Sequence, residues 1–183
     1  NVCEKMGNDE EALLYFRKLF SSADYATFAT TSAANIYRKT GKYEKAIELY
    51  EAVLAGDPKN SHAWNGKADC FRGKKKYEAA IHAWNQAQKY GMNRASAMTR
   101  IGDCYLSMND LENAQISYQI TLAAGYDKYA CLGMLRIYLK KNKIDKAFET
   151  LELLKRNEPQ DPRIASEYKS FIEKYPHVTR NEK

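Results

Sequence analysis

Residues 61–94 read SHAWNGKADCFRGKKKYEAAIHAWNQAQKYGMNR, and the spacing inside them decides the fold. Trp64, Ala68 and Phe71 fall on one face of a helix. After the turn-like run Gly73-Lys74-Lys75-Lys76, the residues Tyr77, Ala80, Trp84 and Ala87 repeat that spacing. Small residues let two helix backbones approach, and aromatic residues fill the volume around the contact. The stretch reads as an antiparallel helical hairpin.

Its neighbours carry the same pattern. Ala12, Ala46, Ala80, Ala114 and Ala147 are separated by 34, 34, 34 and 33 residues, and each opens the second helix of a hairpin. A large residue follows each of them one turn later: Phe16, Tyr50, Trp84, Tyr118 and Leu151. Nine residues before four of these alanines stand Tyr37, Phe71, Tyr105 and Tyr138, with Cys3 in the first such place. A period near 34 with this signature resembles the tetratricopeptide repeat (TPR) family. Pro58 and Pro159 sit where that family commonly ends its second helix, and Trp64, Ala68 and Phe71 match its first helix; Lys67 departs from the usual Leu.

The resemblance implies an all-α fold, a right-handed α-solenoid of stacked hairpins with eleven helical segments, the first a stub. Residues 1–26 hold the second half of a truncated repeat, in which Leu13, Phe16, Leu19 and Phe20 need a cover. Residues 27–60, 61–94, 95–127 and 128–161 are complete repeats. Asn60 or Ser61, Asn93, Asp127 and Asp161 are placed to cap following helices, and Gly91 and Gly125 to end preceding ones. Ile164, Tyr168, Phe171, Ile172 and Tyr175 form one stripe of a final helix over 162–175, which reads as a terminal cap. A polar tail, 176–183, is expected to be mobile. The chain opens at Asn1 without a Met, which reads as a cut.

Composition bounds the function. The 183 residues carry a net charge of +6, and 44% are hydrophobic; mean hydropathy is −0.67. No apolar run approaches the roughly 18 residues that span a bilayer. The basic balance favours acidic partners. Cys3, Cys70, Cys104 and Cys131 are far apart, lack a CxxC spacing and read as buried free thiols, which favours a reducing, cytoplasmic setting. His62, His82 and His177 have no metal-ligand spacing, and no phosphate-binding, nucleophile-elbow or dinucleotide motif occurs. Neither catalysis nor a cofactor nor a metal is expected.

In the TPR family the first helix of each repeat lines the concave surface. The resemblance places Phe28, Thr31, Asn35 and Arg38 there, then His62, Asn65, Asp69 and Arg72. It adds Ser96, Thr99, Asp103 and Leu106, with Arg100 beside them, and finally Tyr129, Leu132, Arg136 and Leu139. Such a mixed surface suits an extended or helical peptide, with Asn holding backbone amides and Arg pairing with acidic groups. Family members that grip a chaperone's C-terminal carboxylates use lysines where this chain has Thr31 and Ser96, and an Asn where it has Gly66. That ligand is therefore not expected. A second candidate is a basic edge of inter-helix turns: Lys39 and Lys42, then Lys74, Lys75 and Lys76, then Lys140, Lys141 and Lys143.

The resulting expectation is a non-enzymatic scaffold that binds an acidic protein or peptide segment, with neither nucleic acid nor a small-molecule substrate as partner. Two other classes stay open. One is a recognition or regulatory part of a larger enzyme or secretion and assembly machine; the other is a self-associating structural module.

Overall fold

The computed structural model describes residues 26–178 together with Glu11 and Leu14. The expectations for Cys3, for the first half-repeat (Ala12, Leu13, Phe16, Leu19 and Phe20) and for residues 179–183 lie outside the described residues. From residue 26 onward the described residues form nine α-helices and no strand. They are α1 (Ala26–Lys39), α2 (Tyr43–Gly56), α3 (Ser61–Gly73), α4 (Tyr77–Lys89), α5 (Arg94–Ser107), α6 (Leu111–Ala123), α7 (Lys128–Lys140), α8 (Ile144–Asn157) and α9 (Pro162–Lys174). The chain divides into two compact units, Asn1–Ala97 and Met98–Lys183, with the division inside α5.

In the first unit α1 packs on α2, α2 on α3 and α3 on α4, and α1 also touches α3. In the second, α6 packs on α7, α7 on α8 and α8 on α9. The alanine register explains the packing. Ala46, Ala80, Ala114 and Ala147 are each 0% exposed, and so are the large residues one turn on: Tyr50, Trp84, Tyr118 and Leu151. Small against large at a fixed offset makes facing layers interdigitate.

Glycine completes the fit of the rings. A Cβ on Gly66 would stand 2.2 Å from Tyr50 Cζ, and one on Gly133 would stand 2.2 Å from Tyr118 Cζ. The Tyr118 ring is also closed in from its other side by Gly102. Gly73 was expected to belong to a turn, yet it is the last residue of α3. Its missing side chain makes room for the ring of Tyr43. Lys67, at the usual Leu position, covers apolar surface differently. Its ammonium lies 5.4 Å from the Trp64 ring centre and 5.7 Å from that of Phe71, and its charge is met by Glu51 at 2.8 Å.

The turns inside the hairpins share one device. Gly41, Lys75, Asn109 and Asn142 all adopt a positive φ, between 53° and 77°. The next residue then donates its amide back to the aromatic carbonyl near the helix end. Lys42 N reaches Tyr37 O, Lys76 N reaches Phe71 O, Asp110 N reaches Tyr105 O and Lys143 N reaches Tyr138 O, at 2.8–2.9 Å. These bonds satisfy carbonyls that the ending helix leaves open. The first-helix starts are capped by side chains: Asn60 accepts from Ala63 N, Asn93 from Ser96 N and Asp127 from Ala130 N.

The core of the first unit gathers Ala34, Ala46, Tyr50, Val53, Leu54, Ala63 and Cys70. In the second unit Cys131, Leu135, Leu151 and Leu154 meet Ile164 and Phe171 of α9. Val178 joins this cluster at 6% exposure. Cys70, Cys104 and Cys131 are buried thiols, none of them joined in a disulfide. Burial pushes the Cys70 and Cys131 thiols up to about 11.

Candidate binding face

The first-helix residues of the first unit form a connected polar network. Tyr50 is wholly buried, and its hydroxyl donates to Asn35 Oδ1 at 2.8 Å. Trp84 does the same with its indole: Nε1 donates to Asn65 Oδ1 at 3.0 Å. Between these two pairs in the repeat sits Asp69. Arg38 Nη1 donates to its Oδ2 and Arg72 Nη2 to its Oδ1, each at 3.2 Å. The Asp69 side chain is 9% exposed, against 28% for Arg38 and 41% for Arg72. Arg72 also lies over the Trp84 ring, 5.6 Å from its centre. Desolvation pushes the Tyr50 phenol up to about 12, an effect opposed by the nearby Arg38.

The bond to Trp84 fixes the orientation of the Asn65 amide. An indole N–H can only donate, so the atom of Asn65 facing Trp84 is its oxygen. The Asn65 Nδ2 group, with its two N–H donors, then points elsewhere, and no described residue accepts from it. The Asn35 oxygen likewise faces the Tyr50 hydroxyl, a group able to donate or to accept, and no described residue accepts from its Nδ2. Both asparagines thus bind the fold through one end and offer donors from the other. Thr31 spends its hydroxyl on the carbonyl of Thr27 in its own helix. His62 and Phe28 are exposed, Phe28 at 63%.

The second unit is less polar at the corresponding positions. Asp103 Oδ1 accepts from the Tyr118 hydroxyl at 2.7 Å. Burial and this carboxylate together raise the Tyr118 phenol well above its ordinary range. Thr99 was expected on the binding surface, but it is 7% exposed and its hydroxyl donates to Thr121 Oγ1 at 3.2 Å. That side chain is packing and drops out of the surface. Leu106, Leu132 and Leu139 are also partly buried against the core. Tyr129 is 66% exposed, Arg136 is exposed and Arg100 is half-buried on α5; Ser96, which belongs to the first unit, is exposed. The last turn of the first helix carries Arg38 and Arg72 in the first unit and Leu139 in the second.

The basic edge is partly neutralised. Lys74 pairs with Glu44, Lys141 reaches Glu112 and Gln115 at 3.4 and 3.2 Å, and Lys140 donates to Asn109 at 2.9 Å. Lys39, Lys42, Lys75, Lys76 and Lys143 are exposed. Among the described residues no group of His, Cys, Asp and Glu could hold a metal ion, and no helix is long and apolar enough to cross a membrane.

Comparison with known proteins decides the family. One tetratricopeptide-repeat model matches residues 31–91 and a second matches 95–119. The chain carries tetratricopeptide repeats. A PPR-repeat model matches 129–158. Solved TPR structures share the fold. PilF of Pseudomonas aeruginosa is 19% identical with a TM-score of 0.75, over 97% of this chain and 86% of that one. A thermophilic TPR protein of Thermus thermophilus is 18% identical with a TM-score of 0.68, over 93% of each chain. YrrB, described as a TPR protein with an unusual peptide-binding site, is 16% identical with a TM-score of 0.69, over 89% of this chain and 84% of that one. No curated protein sequence matches. At these identities the likeness speaks for the fold, an all-α helical-repeat solenoid. Such repeats are in general a protein–protein interaction fold.

Proposed function

We propose that this TPR chain is a non-enzymatic scaffold that holds an extended segment of a partner protein on the α1 and α3 face of its first unit. The observation that carries the reading is that Asn35 and Asn65 each turn their oxygen to an aromatic donor, Asn65 to one that can only donate. With the oxygens so engaged, the N–H groups are left for whatever lies on the face. Backbone carbonyls of an extended peptide are the matching acceptors. A donor held in place before binding loses little side-chain entropy on binding. Phe28 supplies exposed apolar area on the same helix as Asn35. The description of YrrB, which has the same fold, is in keeping with a peptide ligand.

The test must separate the donor role from the structural one. Replacing either Asn with Ala would strip Tyr50 or Trp84 of its acceptor and disturb the core. Asn35→Asp with Asn65→Asp keeps both acceptors and removes the donors. A pull-down from source-cell lysate with the parent chain and this double variant is expected to retain a partner on the parent and lose it on the variant. Circular dichroism checks that both fold. Equal retention by both would place the site elsewhere, with the exposed lysines of the turns or Tyr129 and Arg136 as the next candidates.

A further inference from the structure

The face described above has a surplus of donors, and the carboxylate at its centre is internal. Arg38 and Arg72 each hydrogen-bond a different oxygen of Asp69. A guanidinium has five N–H donors, so this shared carboxylate cannot occupy both arginines fully. Arg38 Nε is buried with no acceptor. Arg72 is the more exposed of the two, and its guanidinium lies over the Trp84 ring. The asparagines flanking the trio add further N–H groups and no acceptor.

We infer that the face selects one acidic side chain of the bound peptide, an Asp or Glu whose carboxylate pairs with Arg72 and Arg38, and that Asp69 is an internal competitor for those same donors. The inference rests on the reading that a peptide occupies this face. An unmodified peptide carries its acidic groups as the carboxylates of Asp and Glu. Such planar, two-oxygen acceptors suit a guanidinium, which pairs with them bidentately. Asp69 keeps the arginines ordered and partly neutral when the face is empty. The ligand's carboxylate gains their remaining donors at the cost of sharing them.

The prediction has a sign that a merely structural Asp69 would not produce. The probes are three pools of random decapeptides, capped at both ends so that no terminal carboxylate is present, with a fixed central Glu, Gln or Lys. The parent chain should retain the Glu pool about 3- to 10-fold better than the Gln pool, the range expected of one partly exposed charged hydrogen bond. The Lys pool should be retained least. Asp69→Asn should raise retention of the Glu pool several-fold further and leave the Gln pool unchanged. Arg72→Gln, shown to be folded, should bring the Glu pool down to the Gln level. Equal retention of Glu and Gln pools by the parent would overturn the acidic selectivity while leaving peptide binding intact. So would an Asp69→Asn variant, shown to be folded, that lowers both pools alike. Retention of no pool would remove peptide binding on this face altogether.

Discussion

Gly66 and Gly133 sit under tyrosine rings that have nowhere to go. Alanine normally favours a helix over glycine by about 1 kcal/mol, but here the added methyl would stand 2.2 Å from the buried ring of Tyr50 or Tyr118. Overpacking of a closed core costs about 1–3 kcal/mol, so Gly66→Ala and Gly133→Ala should each lower the stability measured by urea unfolding. Gly73→Ala should cost less, because the opposing Tyr43 is only half-buried and can turn outward. Lys75 offers the opposite experiment. It holds a φ of +58°, a conformation that costs a side-chain-bearing residue about 1–2 kcal/mol. Lys75→Gly should therefore stabilise the fold by about 1 kcal/mol once the extra freedom of glycine in the unfolded chain is counted, and raise the urea midpoint. Cys70 and Cys131, buried and raised to about 11, should resist a thiol reagent at pH 7.5 in the native protein and react on unfolding.

The start of α9 shows how an element is tied down. Asp161 caps it by accepting from Arg163 N at 2.9 Å, and it also pairs with Lys128 at the start of α7. Lys128 reaches Glu158 at 3.4 Å as well, so one ammonium ties α7 to the turn before α9. The Lys128 hydrogen bond, then those from Arg163, hold the Asp161 carboxyl well below the usual aspartate value of 3.8. A depressed carboxylate stabilises the native state fully above its unfolded value and loses that contribution as pH falls through its native one. The attachment of α9 should thus be unchanged between pH 8 and pH 5 and weaken only in acid below 3.8. NMR shifts of α9 amides would follow it, and Asp161→Asn, which keeps the capping oxygen, should flatten the acid response.

For the chain as a whole, charge is unevenly used. The net charge is +6. In the first unit, first-helix arginines converge on Asp69, whereas in the second the leucines at such positions turn into the core. Binding that depends on Arg38 and Arg72 involves partly exposed groups, which salt screens. Affinity for a Glu-containing peptide should fall severalfold between 50 and 300 mM NaCl, and that of a Gln-containing peptide should hardly change; titration calorimetry at the two salt concentrations checks it.

The all-α repeat class, the alanine register and the buried aromatic partners were all readable from a period near 34, because packing of like hairpins forces like residues to recur. The helix caps at Asn60, Asn93, Asp127 and Asp161 were readable for a similar reason: capping is local chemistry. The left-handed Lys75 was not readable, since nothing in a run of lysines marks one of them for a positive φ; Gly73, the expected turn residue, instead yields to the ring of Tyr43. Nor could spacing tell Thr99 from Asn65, although both stand at the same place in their repeats. Thr99 meets Thr121 and is buried, and Asn65 meets the indole of Trp84, a residue 19 positions away. The pairing of Arg38 with Asp69 and the orientation of both asparagines exist only once separate helices are brought together. Tertiary structure decided those, because a side chain's free end is defined by what its other end has already bonded.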